Sequence, residues 1–125
     1  MLAPQLITKL DQRLAKLLED CSVINAAVVT TADGHMCAMR QGNQTYPLER
    51  LATMGSTLMS LGDTITAELQ MGTCDNIISE NKQGIVAFMH ISNNLVLVTL
   101  TVQKNSLGML LSYSRRCAEE MAQFS

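Results

Sequence analysis

The sequence predicts an α+β fold: a five-stranded, antiparallel-rich sheet sandwiched by helices, in the order α-β-β-α-β-β-β-α, with residues 1–125 as a single domain. Three observations lead there. Apolar residues recur at helical spacing in three segments, and short β-branched runs bounded by turn residues fill the intervals between them. The longest such run, Leu95 to Val102, is apolar on both alternating faces, with Leu95 and Leu97 on one and Val96, Val98, Leu100 and Val102 on the other. A strand of that kind needs cover on both sides, so helices must flank the sheet. A chain of 125 residues can bury one core without staples.

Pro4 to Asp20 opens the chain as an amphipathic helix: Pro4 suits a first turn, and Leu6, Ile7, Leu10, Leu14, Leu17 and Leu18 recur along one side. Val23 to Thr31 changes to a β-branched run and predicts a strand. Asp33-Gly34 predicts a type I′ hairpin turn into a second strand, His35 to Arg40. After a polar loop and Pro47, a long helix is predicted from Leu48 to Leu69, broken by Gly72-Thr73. Cys74 to Glu80, Ile85 to Ile91 and Leu95 to Val102 are joined by short turns and predict an antiparallel meander. Ser106 is the expected N-cap of a last helix, Leu107 to Gln123, with Leu107, Leu110, Leu111, Ser114, Cys117, Ala118 and Met121 facing inward. Val23 to Thr31 and Leu95 to Val102 belong in the middle of the sheet, which leaves His35 to Arg40 and Cys74 to Glu80 as edges open to another chain.

The helix from Leu48 to Leu69 is the unusual element. Charged residues make up 16% of the chain, yet none occurs from Leu51 to Gly62. At 100° per residue, Leu48, Leu51, Ala52, Gly55, Leu58, Met59, Gly62, Ile65 and Leu69 share one face, and Met54 and Leu61 widen it to roughly 180°, more than one sheet requires. Either the helix is wholly buried in its own domain or it meets a second partner, and the second reading is favoured. The remaining arc is Thr53, Ser56, Thr57, Ser60 and Thr64. A membrane span is not expected, because the uncharged run is shorter than the ~20 residues a bilayer demands.

Composition narrows the function classes. A net charge of -2 with scattered basic residues argues against nucleic acid, and two Phe, two Tyr and no Trp leave little for base stacking or an aromatic pocket. The N-terminal residues lack the pattern of a secretory signal, so a cytoplasmic protein with reduced, mostly buried cysteines is expected. His35 and Cys37 share a strand face and His90 lies on another strand, but no close Cys/His pair anchors a metal, and no metal or cofactor is expected. No glycine-rich phosphate loop or nucleophile elbow is present, so an enzyme is not expected.

The element order, the Asp33-Gly34 hairpin, the long helix at Leu48 to Leu69 and the Ser106-Leu107-Gly108-Met109-Leu110-Leu111 helix start together resemble the roadblock/dynein light chain family, which is profilin-like in fold. The bacterial and archaeal MglB-like regulators of Ras-like small GTPases look most similar. The resemblance covers nearly the whole chain and implies a homodimer in which the long helices pack antiparallel and the third strands pair across a two-fold axis. On this chain that interface would comprise Leu51, Met54, Gly55, Leu58, Leu61, Gly62, Ile65, Cys74, Asn76 and Ile78. It further implies that a Ras-like GTPase can dock on the face formed by the paired long helices, here Arg50, Thr53, Ser56, Thr57, Ser60 and Thr64, with Asp63 nearby. The implied function is a homodimeric, non-enzymatic regulator or scaffold modulating the GTPase's nucleotide cycle. Arg40, Arg50, Arg115 and Arg116 are read as solvated or ion-paired rather than as catalytic arginines. Two alternatives stand beside it: an adaptor subunit of a motor or signalling assembly with no effect on hydrolysis, and a small-ligand sensor.

Overall fold

The computed structural model describes residues 2–124. In chain order its elements are α1 (Pro4–Asp20), β1 (Ala26–Thr31), β2 (Met36–Gln41), α2 (Leu48–Glu68), β3 (Asn76–Asn81), β4 (Gly84–His90), β5 (Leu95–Thr101) and α3 (Leu107–Ala122). The five strands form one sheet in the order β2-β1-β5-β4-β3, with every neighbouring pair antiparallel. The expected fold class and edges are therefore observed. β5, buried at every residue, occupies the centre, and β2 and β3 are the edges.

α1 and α3 share one face of the sheet. Leu10, Leu14 and Leu17 meet Leu110, Cys117 and Met121 over the strand residues Ala27, Val29, Ile85, Ala87, Met89, Leu95 and Leu97. Each fully buried leucine there contributes about 1.5–3 kcal/mol. Inside this layer the hydroxyls of Thr99 and Ser114 are 2.8 Å apart, and buried Arg13 donates through Nε to Glu120 at 2.7 Å, tying α1 to α3, while its Nη1 is buried without a partner. Burial pushes the Cys117 thiol up to about 11, so it stays protonated and unreactive. Cys21 is likewise buried, but Cys37 and Cys74 are only half-buried, fewer buried thiols than the sequence suggested.

α2 alone covers the opposite face, over Val28, Phe88, Val96 and Val98. Its approach is close. An ideal Cβ on Gly55 would lie 2.8 Å from Val98 Cγ2 and 3.3 Å from Phe88 Cδ1, and one on Gly62 would lie 2.9 Å from both Cys74 Sγ and Ile77 Cδ1. These two glycines are what lets a helix backbone settle onto β-branched and aromatic side chains.

Four local expectations are corrected. β1 begins at Ala26: Val23 and Ile24 are buried, but they form a turn in which the Ile24 N–H donates to the Cys21 carbonyl, plugging the core from a connection. The β1–β2 hairpin is not type I′, since only Gly34 has positive φ (94°); the Gly34 N–H donates to the Thr31 carbonyl and the Thr31 N–H to the His35 carbonyl. That is a three-residue loop with glycine in the left-handed position, and the strand register shifts beside it. Ser106 stands at the N-cap position but its hydroxyl points to Gln103 Oε1 at 3.3 Å and caps no helix N–H. α2 ends at Glu68, within a residue of the expected Leu69, but Gly72-Thr73 is not what stops it: Gln70 adopts φ 55°, with its N–H on the Ala67 carbonyl and the Met71 N–H on the Thr66 carbonyl, a Schellman ending built without glycine.

Two substitutions measure these features in urea unfolding. Gln70→Gly relieves a left-handed side chain and is expected to stabilise by about 0.5–1 kcal/mol. Gly55→Ala raises helix propensity but inserts a methyl group against Val98, so a loss of about 1–3 kcal/mol is expected.

Candidate interaction surface

Seen down its axis, α2 divides into three lines. The innermost, Leu48, Ala52, Gly55, Ser56, Met59 and Gly62, is buried against the sheet. Two sequence expectations change here. Gly55 and Gly62, assigned to contact with a twin helix, are consumed by the chain's own sheet. Ser56, assigned to the docking surface, is only 6% exposed; its hydroxyl donates to the Thr53 carbonyl at 2.9 Å, and the β1–β2 turn packs on it, an ideal Cβ on Gly34 falling 3.2 Å from Ser56 Oγ.

The second line is apolar and open. Met54, Leu61 and Ile65 are 56%, 54% and 51% exposed, and Leu51 and Leu58 on the same line are half-buried. The spacing 51-54-58-61-65 alternates three and four residues, the period of a helix-packing seam. Leu69 and Met71 prolong it past the helix end, at 57% and 70% exposure. A contiguous stripe of this kind is larger than the isolated apolar side chains ordinary on a surface.

The third line is Arg50, Thr53, Thr57, Ser60 and Thr64, all exposed. Three of its hydroxyls are turned onto the helix: Thr53 donates to the Glu49 carbonyl, Thr57 to Thr53 and Thr64 to Ser60, at 3.4, 3.1 and 3.1 Å. With their protons so engaged, they offer a partner methyl groups and acceptor lone pairs. A shallow groove separates this line from the turn at Ala32 and Asp33, with Ser56 among its lining and Leu61 at its border. A hydrogen bond from the Thr31 hydroxyl, aided by nearby His35, holds the Asp33 carboxyl below its ordinary range, so the groove has a negative rim.

β3 bonds to β4 on one side only. Ile77 faces the α2 layer and Ile78 the α1–α3 layer, so both faces of this edge strand are part of the core. Asn76 accepts through Oδ1 from Arg115 Nη2 at 3.1 Å. Cys74 lies before the strand rather than in it, with its side chain tucked beneath Gly62 and its thiol pushed up by burial.

The interaction the sequence reading missed is centred on Asp63. One carboxylate oxygen accepts the Cys74 N–H at 3.1 Å and the other is 2.9 Å from His90 Nε2, so a single side chain joins α2, the loop into β3, and β4. A signal existed: helical spacing sets Asp63 beside buried Met59 and Gly62, where a lone carboxylate must find donors. The arginines are engaged or exposed as expected. Arg40 makes two bonds to Asp11, at 3.1 and 2.6 Å, and Arg116 lies 5.7 Å from the Tyr113 ring centroid, while Arg50 remains on the outer line of α2. Among the described residues no group of three or more His, Cys, Asp or Glu is placed to hold a metal, and no helix is long and apolar enough to cross a membrane.

Asp63→Ala leaves the Cys74 N–H and the His90 ring without their acceptor. A loss of about 1–3 kcal/mol is expected, with hydrogen exchange at Cys74 rising more than at β5 amides.

No family model and no curated protein matches the sequence. Solved structures do match in shape. An MglB with a tetrameric arrangement superposes with a TM-score of 0.87 at 16% identity, over 99% of this chain and 93% of that one. Myxococcus xanthus MglB gives 0.87 at 15% identity, over 98% and 91%, and a roadblock/LC7 domain from Streptomyces avermitilis gives 0.80 at 15%, over 91% and 95%. Profilin IB of Acanthamoeba castellanii is more distant, at 0.66 and 14% identity, over 90% and 96%. At such low identity the likeness is one of architecture, and it spans nearly the whole chain: this protein has the roadblock/LC7 fold in the form that MglB adopts.

Proposed function

We propose that this protein is a cytoplasmic, homodimeric, non-enzymatic regulator or scaffold of a Ras-like small GTPase. The observation that carries the reading is the open apolar seam on α2, Leu51-Met54-Leu58-Leu61-Ile65, running beside the free edge of β3. A second copy of the chain answers both needs at once. Its α2 packs seam to seam, and its β3 continues the sheet. In that arrangement Leu51, Met54, Leu58, Leu61, Ile65, Asn76 and Ile78 form the interface, while Gly55, Gly62 and Cys74 support it from within.

Pairing leaves the line of Arg50, Thr53, Thr57, Ser60 and Thr64 outward on each protomer, together with the groove beside Asp33. The resemblance to MglB-like regulators, supported by the shared fold, favours a small GTPase as the occupant of that surface. A mostly methyl-and-hydroxyl surface offers shape rather than chemistry, which suits a partner whose own switch conformation is being selected. Regulation of this kind needs no group supplied to the phosphate.

Leu61 is exposed, so Leu61→Glu should leave the fold unchanged by circular dichroism and convert the dimer to monomer in sedimentation equilibrium; a stable dimer overturns the interface. For the partner, wild-type protein should retain a small GTPase from the extract of its own cell in one nucleotide state only, and Thr57→Arg should abolish retention. Absence of any nucleotide-dependent GTPase overturns this function.

A further inference from the structure

We infer that Arg115 and the partner's Glu80 form an ion pair, made twice across the two-fold axis, that fixes the register in which the two β3 strands meet. The inference rests on the homodimer proposed above and adds what selects one alignment of the edges.

β3 closes onto β4 through a two-residue turn, with Asn81 opposite Gly84. In such a hairpin the closing pair is hydrogen-bonded and the pairs alternate from there, so Ile77, Ser79 and Asn81 spend their backbone groups on β4. The N–H and C=O of Asn76, Ile78 and Glu80 consequently point to the open side. Side chains alternate too. Ile78 packs into the α1–α3 layer and Ile77 into the α2 layer, so Asn76, Ile78 and Glu80 all stand on the α3 face. Arg115 reaches down from α3 to Asn76 on that face.

An antiparallel second copy must bring outward-pointing residues opposite one another. Three two-fold registers about the middle of the strand satisfy this, centred on Ile77, Ile78 or Ser79. Centring on Ile77 sets Asn76 against the partner's Ile78. Centring on Ser79 sets Ile78 against the partner's Glu80, placing a carboxylate on an apolar side chain. Centring on Ile78 pairs it with the partner's Ile78 and places the partner's Glu80 opposite Asn76, beneath Arg115. Residues directly opposite share a face with Cβ atoms about 4.5–5.5 Å apart. Only this last register matches apolar with apolar and cation with anion.

The test is a charge swap read by sedimentation equilibrium. Glu80→Arg and Arg115→Glu should each weaken dimerisation about ten-fold, because each like-charge contact occurs twice, and the double variant should return to within about three-fold of wild type. The penalty of each single variant should shrink in 1 M salt. Equal Kd values for all four proteins, or a double variant as weak as the singles, overturns the ion pair while leaving the dimer standing. A wild-type protein monomeric at every concentration overturns the dimer itself, and the ion pair with it. Independently, Asn76→Cys/Glu80→Cys should cross-link into dimers on mild oxidation, whereas Asn76→Cys alone and Glu80→Cys alone should not; dimers from either single variant, or none from the pair, overturn the register.

Discussion

The close seating of α2 on the sheet is the constraint on which the other surfaces depend. Gly55 and Gly62 remove the side chains that would hold the helix off Val98, Cys74 and Ile77. A helix seated that low buries only a narrow strip of itself, Ala52, Gly55, Met59 and Gly62 with their immediate neighbours. The larger apolar residues are left on its flank. In a bulkier packing Leu51 and Leu58 would be spacers between helix and sheet; here they are shoulders of an open stripe.

The two faces of the sheet are finished differently for the same reason. On one side two helices, joined by Arg13 and Glu120, enclose a layer in which even the hydroxyls of Thr99 and Ser114 find each other. On the other side a single helix lies over five strands, and its exposed flank stays wet. The open apolar stripe and the free strand edge thus lie on one half of the molecule, where α2 and β3 adjoin.

Much of this architecture was legible in the sequence because it depends on periodicity. Leu95 to Val102 reads as a central strand, and the uncharged run in α2 as a helix with more apolar surface than one sheet requires. What periodicity does not report is depth. A helical wheel gives Gly55 and Leu58 neighbouring angles, yet one is pressed to the sheet and the other is half open, because the distance between helix and sheet is set by the strand side chains beneath. Ser56 was misplaced for a related reason, since the β1–β2 turn that covers it comes from a distant part of the chain. Turn geometry failed where two solutions share one sequence: Asp33-Gly34 serves a type I′ turn or a longer loop equally well, and the register shift beside Val29 decides between them. Gln70 could not be foreseen as the helix stop, with Gly72 two residues away offering the cheaper left-handed position.

The Asp63 carboxylate gives α2 and the start of β3 a common mechanical anchor. Its bonds run from the last turns of α2 to the backbone ahead of β3 and to a histidine on β4. A rotation or slide of α2 that keeps both bonds intact must drag the start of β3 with it. Load applied to the helix flank is thereby delivered to the sheet edge, and the two surfaces behave as a single lever with its fulcrum at one side chain.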